Sequence, residues 1–502
     1  MFLSPAKILF KGIIAGILLY LIGFQLQAVW SFTVDDMYIA LRYAQHWADG
    51  YGIVWNVGEP PVEGYSNFAY VFLGRLAYGL QFDPVFLLKG CGVIGLAVLL
   101  IAQFYLTRLW LPARLAIIPC LWLLAYRGQI IWTASGLETT WYQAMLMSAL
   151  YAMLKACQFN AQDHTTKTHR WFVWALAAGL SFAVSGMLRP EAPGVFAAAL
   201  LIMLVRRQSI PRFERVCGVT LTCFILSYGP YFLWRWYYFK QLLPNPVYCK
   251  GFIDPFNMTL DWHYLELLFP FMLLSAPCLR RGRDLGIELL ISPSVIYLVL
   301  CLGADPVVAF DNRLFLPAFA MYLPVALLGM VQLCNKDWQV YTAALLIAFL
   351  CIPKLTLAQY REFCYNPKQG QQLRQRVNDW LRKNTVASDS VVLADSGMIP
   401  YESNRRFIDS YCLNNKNMTH GPRQTMFARF CQDIFSIQPD VIILTALVEG
   451  SRVSYAPADA CLHQRLSHND AYVYVKTFKT HPLNHHYYQY LVYTKDKQSH
   501  VH

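Results

Sequence analysis

Residues 31–67 read SFTVDDMYIALRYAQHWADGYGIVWNVGEPPVEGYSN, a polar stretch between an apolar N-terminal segment and a long series of further apolar segments. Two adjacent carboxylates, Asp35 and Asp36, open a helical pattern over Met37–Trp47 that carries Arg42. Two turn-rich clusters follow, Gly50-Tyr51-Gly52 and Val57-Gly58-Glu59-Pro60-Pro61. Glycine and proline in such clusters make tight turns, so the stretch folds back over whatever precedes it. What precedes it is an apolar run, Gly12–Trp30, introduced by Lys7 and Lys11. Two like charges side by side repel unless a cation, a metal or a proton sits between them. The ordinary alternative for the pair is a solvated helix cap, because Asp is favoured at helix N-termini.

Working outward, the 502-residue chain is 56% hydrophobic and only 14% charged, against roughly 25% charged in soluble domains. Repeated apolar runs near the roughly 20 residues needed to cross a bilayer mark a polytopic α-helical membrane protein. The net charge of +12 lies largely in short loops between these runs, where Lys and Arg set topology; it does not point to nucleic acid. The absence of a Walker loop, dinucleotide fingerprint or zinc-type cysteine cluster argues against a soluble nucleotide-driven enzyme. Gly12–Trp30 reads as a signal anchor with its N-terminus inside, since no small-x-small cleavage site follows. Phe68–Leu80 is short and contains Arg75, so it reads as interfacial or re-entrant. The remaining spans are Val85–Thr107, Leu115–Tyr126, Glu138–Ala156, Trp171–Leu188, Pro193–Val205, Val216–Trp236, His263–Leu279, Leu285–Leu302, Leu314–Leu333 and Gln339–Leu357. With the anchor they make about eleven spans. Their basic loops put Asp35, Asp36, Glu138, Arg189, Glu191, Pro244–Lys250, Asp305 and Arg313 together at the outer ends.

After Leu357 the composition changes. Gln369–Asn384 is a polar amphipathic helix, Val391–Ala394 and Val441–Leu444 are short buried strands, and Tyr472–Phe478 and Tyr487–Tyr493 are aromatic-rich strands. Residues 1–357 thus form a transmembrane domain and residues 358–502 a soluble α/β domain, extracytoplasmic by the topology. Of fourteen cysteines, ten precede residue 358, most in apolar segments as small hydrophobes. Cys364, Cys412, Cys431 and Cys461 lie in the α/β domain, where one or two disulfides and free thiols are both open. His485-His486 lacks a third ligand at metal spacing and reads as solvated surface.

Several motifs in chain order carry a resemblance: Asp35-Asp36, Tyr38, Arg42-Tyr43, Gly50, Gly52, Asn56, Gly58-Glu59 and Glu63-Gly64-Tyr65, then Ser135–Thr139, Leu188-Arg189-Pro190-Glu191, Leu243–Pro246 with Lys250, Gly303-Ala304-Asp305, Arg313–Pro317 and Asp395–Tyr401. Together they resemble the polyprenyl-phosphate-sugar-dependent membrane glycosyltransferases of the GT-C type, in particular the branch of the mycobacterial terminal arabinofuranosyltransferase. The resemblance implies transfer of a sugar from a polyprenyl-phosphate donor to a cell-envelope glycan or lipid, with inversion, on the extracytoplasmic face of the inner or plasma membrane. It favours Asp35 as general base, with Asp36 orienting it or binding a divalent ion such as Mg or Mn.

Among the other candidates, Arg42, Arg189 and Arg313 suit bidentate phosphate contacts, with Lys250 as a point charge. Glu138 and Asp305 suit an acceptor, a metal or an ion pair with a nearby Arg. Glu191 belongs to the Arg-Pro-Glu turn, Asn245 to the Pro-Asn-Pro turn, and Tyr65 can stack on a sugar face. Phe310-Asp311-Asn312 adds an acid between Asp305 and Arg313, leaving open which carboxylate matches the family pattern. Two other functions compete: a transporter or flippase for a lipid-linked sugar, and a non-catalytic envelope assembly protein. The first calls for charges at span centres and related halves; the sequence instead puts its charges at span ends.

Overall fold

A computed structural model describes residues 16, 19–20, 22–157, 170–250, 255–280, 284–302, 311, 313–481 and 486–496. Among the described residues, four helices are long and apolar enough to cross a membrane: Pro84–Thr107, Arg170–Leu188, Phe213–Phe239 and Arg313–Leu333. Ala113–Ala125 and Arg127–Ala134 form a further pair bent by 68°, a broken span or a re-entrant loop. Ala192–Val205, Leu265–Leu279, Leu285–Leu300 and Asp337–Leu350 are apolar but shorter. The chain is therefore a multi-pass helical membrane protein with at least four candidate spans among the described residues. Gly12–Trp30 lies partly outside the described residues. Prolines inside the membrane helices, such as Pro230, Pro293 and Pro324, are tolerated because neighbouring helices re-satisfy the freed backbone groups.

Helix Thr139–Ala156 is buried almost all round and packs between Pro84–Thr107 and Arg170–Leu188. Helix Leu316–Leu333 is likewise enclosed and packs along Pro255–Arg280. A helix apolar on every face belongs at the centre of such a bundle.

Beyond the bundle, helix Leu357–Asn384 leads into a six-stranded sheet: β1 Ser390–Leu393, β2 Arg406–Asp409, β3 Val441–Glu449, β4 Arg452–Tyr455, β5 Tyr472–Lys479 and β6 His486–Lys495. The order is β2-β1-β3-β6-β5, with β4 paired to β3. β1 runs parallel to both β2 and β3, while the β3–β6 and β5–β6 pairs are antiparallel. Buried strands β1 and β3 read as continuous Val/Ile/Leu runs for this reason. Helices Met426–Ile437 and Pro457–Leu466 pack together beside the sheet, joined by the disulfide Cys431–Cys461.

Helix Asp36–Ala48 ties the two regions together. Met37 and Leu41, one turn apart, sit in the core of the helical bundle. Ile39, Ala40, Tyr43 and Ala44 sit in the same core as β1, β3 and β6, together with Trp55 and Tyr65 from the following loop. At 3.6 residues per turn a single helix can present one face to each core. The α/β region therefore shares its hydrophobic core with the first loop.

Candidate active site

The two adjacent aspartates face different neighbours. Successive helical residues are about 100° apart, and Asp35 and Asp36 at the start of one helix point to different sides. Asp35 faces the α/β region: its Oδ1 accepts from the Met398 backbone N–H at 3.0 Å and lies 3.0 Å from Arg374 Nε. Arg374 also reaches Asp395 at 3.6 Å, and Asp395 accepts from the hydroxyls of Tyr488 and Tyr490. Burial pushes the Asp35 carboxyl up to about 6, against the pull of the Arg374 guanidinium. The side chain makes no cap hydrogen bond to its own helix, so Asp35 is not a solvated cap.

Asp36 faces a cavity of about 180 Å³. Its carboxylate lies 3.9 Å from Lys250 Nζ. Glu138, Arg189, Glu191, Arg313 and Tyr65 line the same cavity, with Leu137, Leu300, Leu302 and Leu314 as an apolar wall. Asp36, Lys250, Glu138, Arg189, Glu191, Arg313 and Tyr65 thus come together from segments far apart in the chain.

Glu138 is the hub of the cavity's ion pairs. It is 1% exposed, and its Oε1 lies 3.0 Å from both Arg189 and Arg313. Its Oε2 accepts from Asn67 Nδ2 at 2.8 Å. Arg189 also binds Glu191 with both Nε and Nη2, at 3.2 and 2.8 Å. Arg313 donates to Thr139 Oγ1 and lies over the Trp132 ring. A single buried carboxylate holding two guanidiniums fixes both at one depth. The Tyr65 hydroxyl is buried at the cavity with no hydrogen-bond partner among the described residues.

The other sequence candidates fall elsewhere. Arg42 is 2% exposed and does not line the cavity. Its guanidinium donates to the carbonyls of Trp55, Pro400 and Arg405 and to Asn56 Oδ1, stitching the first loop to the α/β region. Asn245 is also buried and spent on structure: Nδ2 donates to the carbonyls of Cys412 and Leu413, and Oδ1 accepts from Thr419. Asp305 and His485 lie outside the described residues, and Asp311 is ion-paired with Arg127 at 2.6 Å. His486 lies on an exposed strand end, 3.7 Å from Glu449.

Among the described residues, the surroundings of Asp36 do not fit a divalent ion. The ammonium of Lys250 already stands beside it, and Arg189 and Arg313 add positive charge to the same cavity. Glu138 and Glu191, the cavity's other carboxylates among the described residues, are held by those guanidiniums. A hard cation needs several unclaimed oxygen ligands.

Sequence reading missed four features around the cavity. Glu63 and Arg235 form a fully buried pair with both carboxylate oxygens within 2.9 Å of Nε. Burial pushes the Glu63 carboxyl up to about 7, opposed by Arg235. Asn67 braces Glu138, and Arg374 holds Asp35. Cys249, not among the disulfide candidates read from the sequence, is joined by a disulfide to Cys412. None of these pairs has a local spacing that a linear pattern could reveal.

ArnT from Cupriavidus metallidurans bound to undecaprenyl phosphate is similar with a TM-score of 0.59 at 11% identity, covering 96% of this chain and 98% of that one. The archaeal oligosaccharyltransferase AglB from Archaeoglobus fulgidus, in complex with an inhibitory peptide and a dolichol-phosphate, gives 0.53 at 12% identity, covering 88% and 74%. The fold is the GT-C fold. The mycobacterial arabinofuranosyltransferase AftD gives 0.49 at 12% identity, over 94% of this chain and 41% of that one. Residues 358–493 match the family Domain of unknown function (DUF8728). No curated protein matches the chain by sequence.

Proposed function

We propose that this chain is a membrane glycosyltransferase that moves one sugar from a polyprenyl-phosphate donor to a cell-envelope glycan or lipid. The observation that carries the reading is the pairing of Asp36 with Lys250 in the lining of a cavity whose other charges among the described residues are locked in ion pairs. The GT-C fold adds weight, because structures of similar chains have been solved with undecaprenyl phosphate and with a dolichol-phosphate.

In this reading Asp36, not Asp35, is the general base. The acceptor hydroxyl oxygen attacks the anomeric carbon as its proton passes to the Asp36 carboxylate. The bond from that carbon to the phosphate oxygen breaks, and polyprenyl phosphate leaves with the electron pair. Lys250 stands beside the position of the departing anion, with the more buried Arg189 and Arg313 lining the same cavity. Direct displacement of this kind inverts the anomeric centre. Tyr65 offers its ring and unpartnered hydroxyl to the sugar, and the leucine wall suits the first isoprene units. Asp35 is a positioning residue, held by Arg374 and Met398.

The disulfides Cys249–Cys412 and Cys431–Cys461 favour an oxidising, extracytoplasmic site for the cavity mouth and the α/β domain of residues 358–502, since disulfides persist where thiols are not kept reduced. In a bacterium that is the outer face of the inner membrane.

The test is transfer itself, with purified protein in lipid, labelled polyprenyl-phosphate pentose and hexose donors, and envelope extract. The expected result is label on an acceptor with wild type and at least a hundredfold loss with folded Asp36→Asn. Equal transfer by wild type and Asp36→Asn refutes the assignment of the base. Movement of intact donor across the bilayer without transfer would replace the transferase with a flippase.

A further inference from the structure

We infer that the Cys249–Cys412 disulfide is a positioning device for Lys250, so that anion binding in the cavity depends on oxidation of this one pair. The inference rests on the proposed role of Lys250 for its functional consequence, but not for its structural part.

Lys250 is the last residue of a six-residue helix, Asn245–Lys250. A helix this short is unstable by itself, because isolated helices below about 12 residues are marginal in water. Its position is set by ties at its two ends. At the start, the Asn245 backbone N–H donates to the Glu63 carbonyl at 2.9 Å, and its side chain donates to Cys412 and Leu413. At the end, the tie is Cys249, the residue just before Lys250, bonded to Cys412 with the Cα atoms 5.9 Å apart. Lys250 then lies over the Tyr411 ring at 5.6 Å, with its ammonium toward Asp36.

Cys412 itself adopts a left-handed backbone, φ +93°, which L-residues with a side chain rarely hold. The loop around it is fixed by Asp409, whose carboxylate accepts from the backbone N–H groups of Tyr411, Cys412 and Asn414. Strain of this kind persists where surrounding structure over-determines it, and it concentrates at functional sites. The same loop supplies Leu413 to the cavity wall. One sulfur bond therefore joins a rigid loop of the α/β region to the residue beside the cation. Reducing it removes the covalent tie at the lysine end and leaves there the Cys249 sulfur 3.3 Å from the Tyr411 carbonyl.

The experiment uses the full chain in lipid and two readouts: the rate of reductive methylation of Lys250, followed by peptide mass spectrometry, and the affinity for undecaprenyl phosphate. The Cys249→Ser/Cys412→Ser variant is expected to methylate Lys250 at least threefold faster and to bind the lipid about tenfold more weakly. In a Lys250→Ala background the cysteine changes are expected to weaken binding no further. The Cys431→Ser/Cys461→Ser variant, which removes the disulfide away from the cavity, is expected to match wild type in both readouts.

An unchanged Lys250 methylation rate overturns the inference whatever the lipid does. An equal loss of binding in the Lys250→Ala background, or an equal effect of the second disulfide, also overturns it, because the bond would then act on the fold generally. A methylation response in a protein that binds no undecaprenyl phosphate upholds the positioning of Lys250 and refutes the proposed function instead.

Discussion

Glu138→Gln should weaken the fold and yet tighten the hold on a phosphate. Glu138 Oε1 lies 3.0 Å from both Arg189 and Arg313, so the two guanidiniums are close neighbours. Two unit charges roughly 5 Å apart repel by about 3 kcal/mol at an effective dielectric of 20. Glu138 offsets this, while Glu191 satisfies Arg189 alone among the bonds observed. Glutamine keeps the shape and an acceptor for Asn67 but removes the charge. Breaking a buried pair by removing one partner costs about 3–5 kcal/mol. The variant should therefore melt several degrees below wild type.

An anionic ligand supplies the missing charge. The variant should consequently bind undecaprenyl phosphate more tightly than wild type and regain more melting temperature from it, since a ligand at 100 times its Kd stabilises by about 2.7 kcal/mol. Transfer should still fall, because the guanidiniums then grip the phosphate without the carboxylate that sets their depth. The assay is thermal unfolding in lipid, with and without undecaprenyl phosphate, beside a binding isotherm. An unchanged melting temperature, or weaker binding with normal folding, refutes the hub.

Other perturbations have equally definite outcomes. Burial raises Asp35 to about 6 from an ordinary carboxylate value near 3.9, so its contribution to stability is present below pH ~4 and lost as pH rises through about 6. Wild type should lose up to about 3 kcal/mol across that window, and Asp35→Asn should lose less, as read by melting temperature against pH; parallel curves would contradict this. Gly64→Ala would drive a Cβ into the Asn414 carboxamide and should cost about 1–3 kcal/mol, visible as a lower melting temperature; an unchanged one would mean the loop yields. Arg42→Lys gives up the planar fork that meets four acceptors. It should lower stability and leave undecaprenyl phosphate affinity within about twofold; a large affinity loss in a stable protein would return Arg42 to the phosphate.

The helices were legible because apolar run length is a local property. Most helices in the bundle begin and end within a few residues of the runs read from the sequence, from Pro84–Thr107 to Leu316–Leu333. Strands β1, β3, β5 and β6 were legible for the same reason. β2 and β4 were not: each has four residues, with charge at one end or both, and each takes its strand form from a partner. The charged motifs were legible as a set, because each stands at the end of an apolar run. Their individual roles were not. Arg42 and Arg189 look alike in sequence, yet one meets backbone carbonyls and the other two carboxylates. Which residue of the Asp pair faces the cavity depends on the helix phase, and that phase is fixed by contacts with Met398 and Arg374 far along the chain.

The position of Asp35 explains why the α/β region sits where it does. In parallel α/β sheets, ligands bind beyond the carboxyl ends of the strands. Here that edge receives the first loop. Asp35 meets the Met398 N–H just after β1, and Gly397 leaves no room for a side chain against it. At β2, an edge strand, the Asn56 carboxamide both accepts from the Phe407 N–H and donates to its carbonyl, closing the open backbone edge. Arg42 adds the carbonyls of Pro400 and Arg405. The sheet thus grips the loop at the place where its own architecture would otherwise offer a ligand crevice. Because Asp36 is the next residue along the same helix, that grip fixes its carboxylate toward the cavity and Lys250.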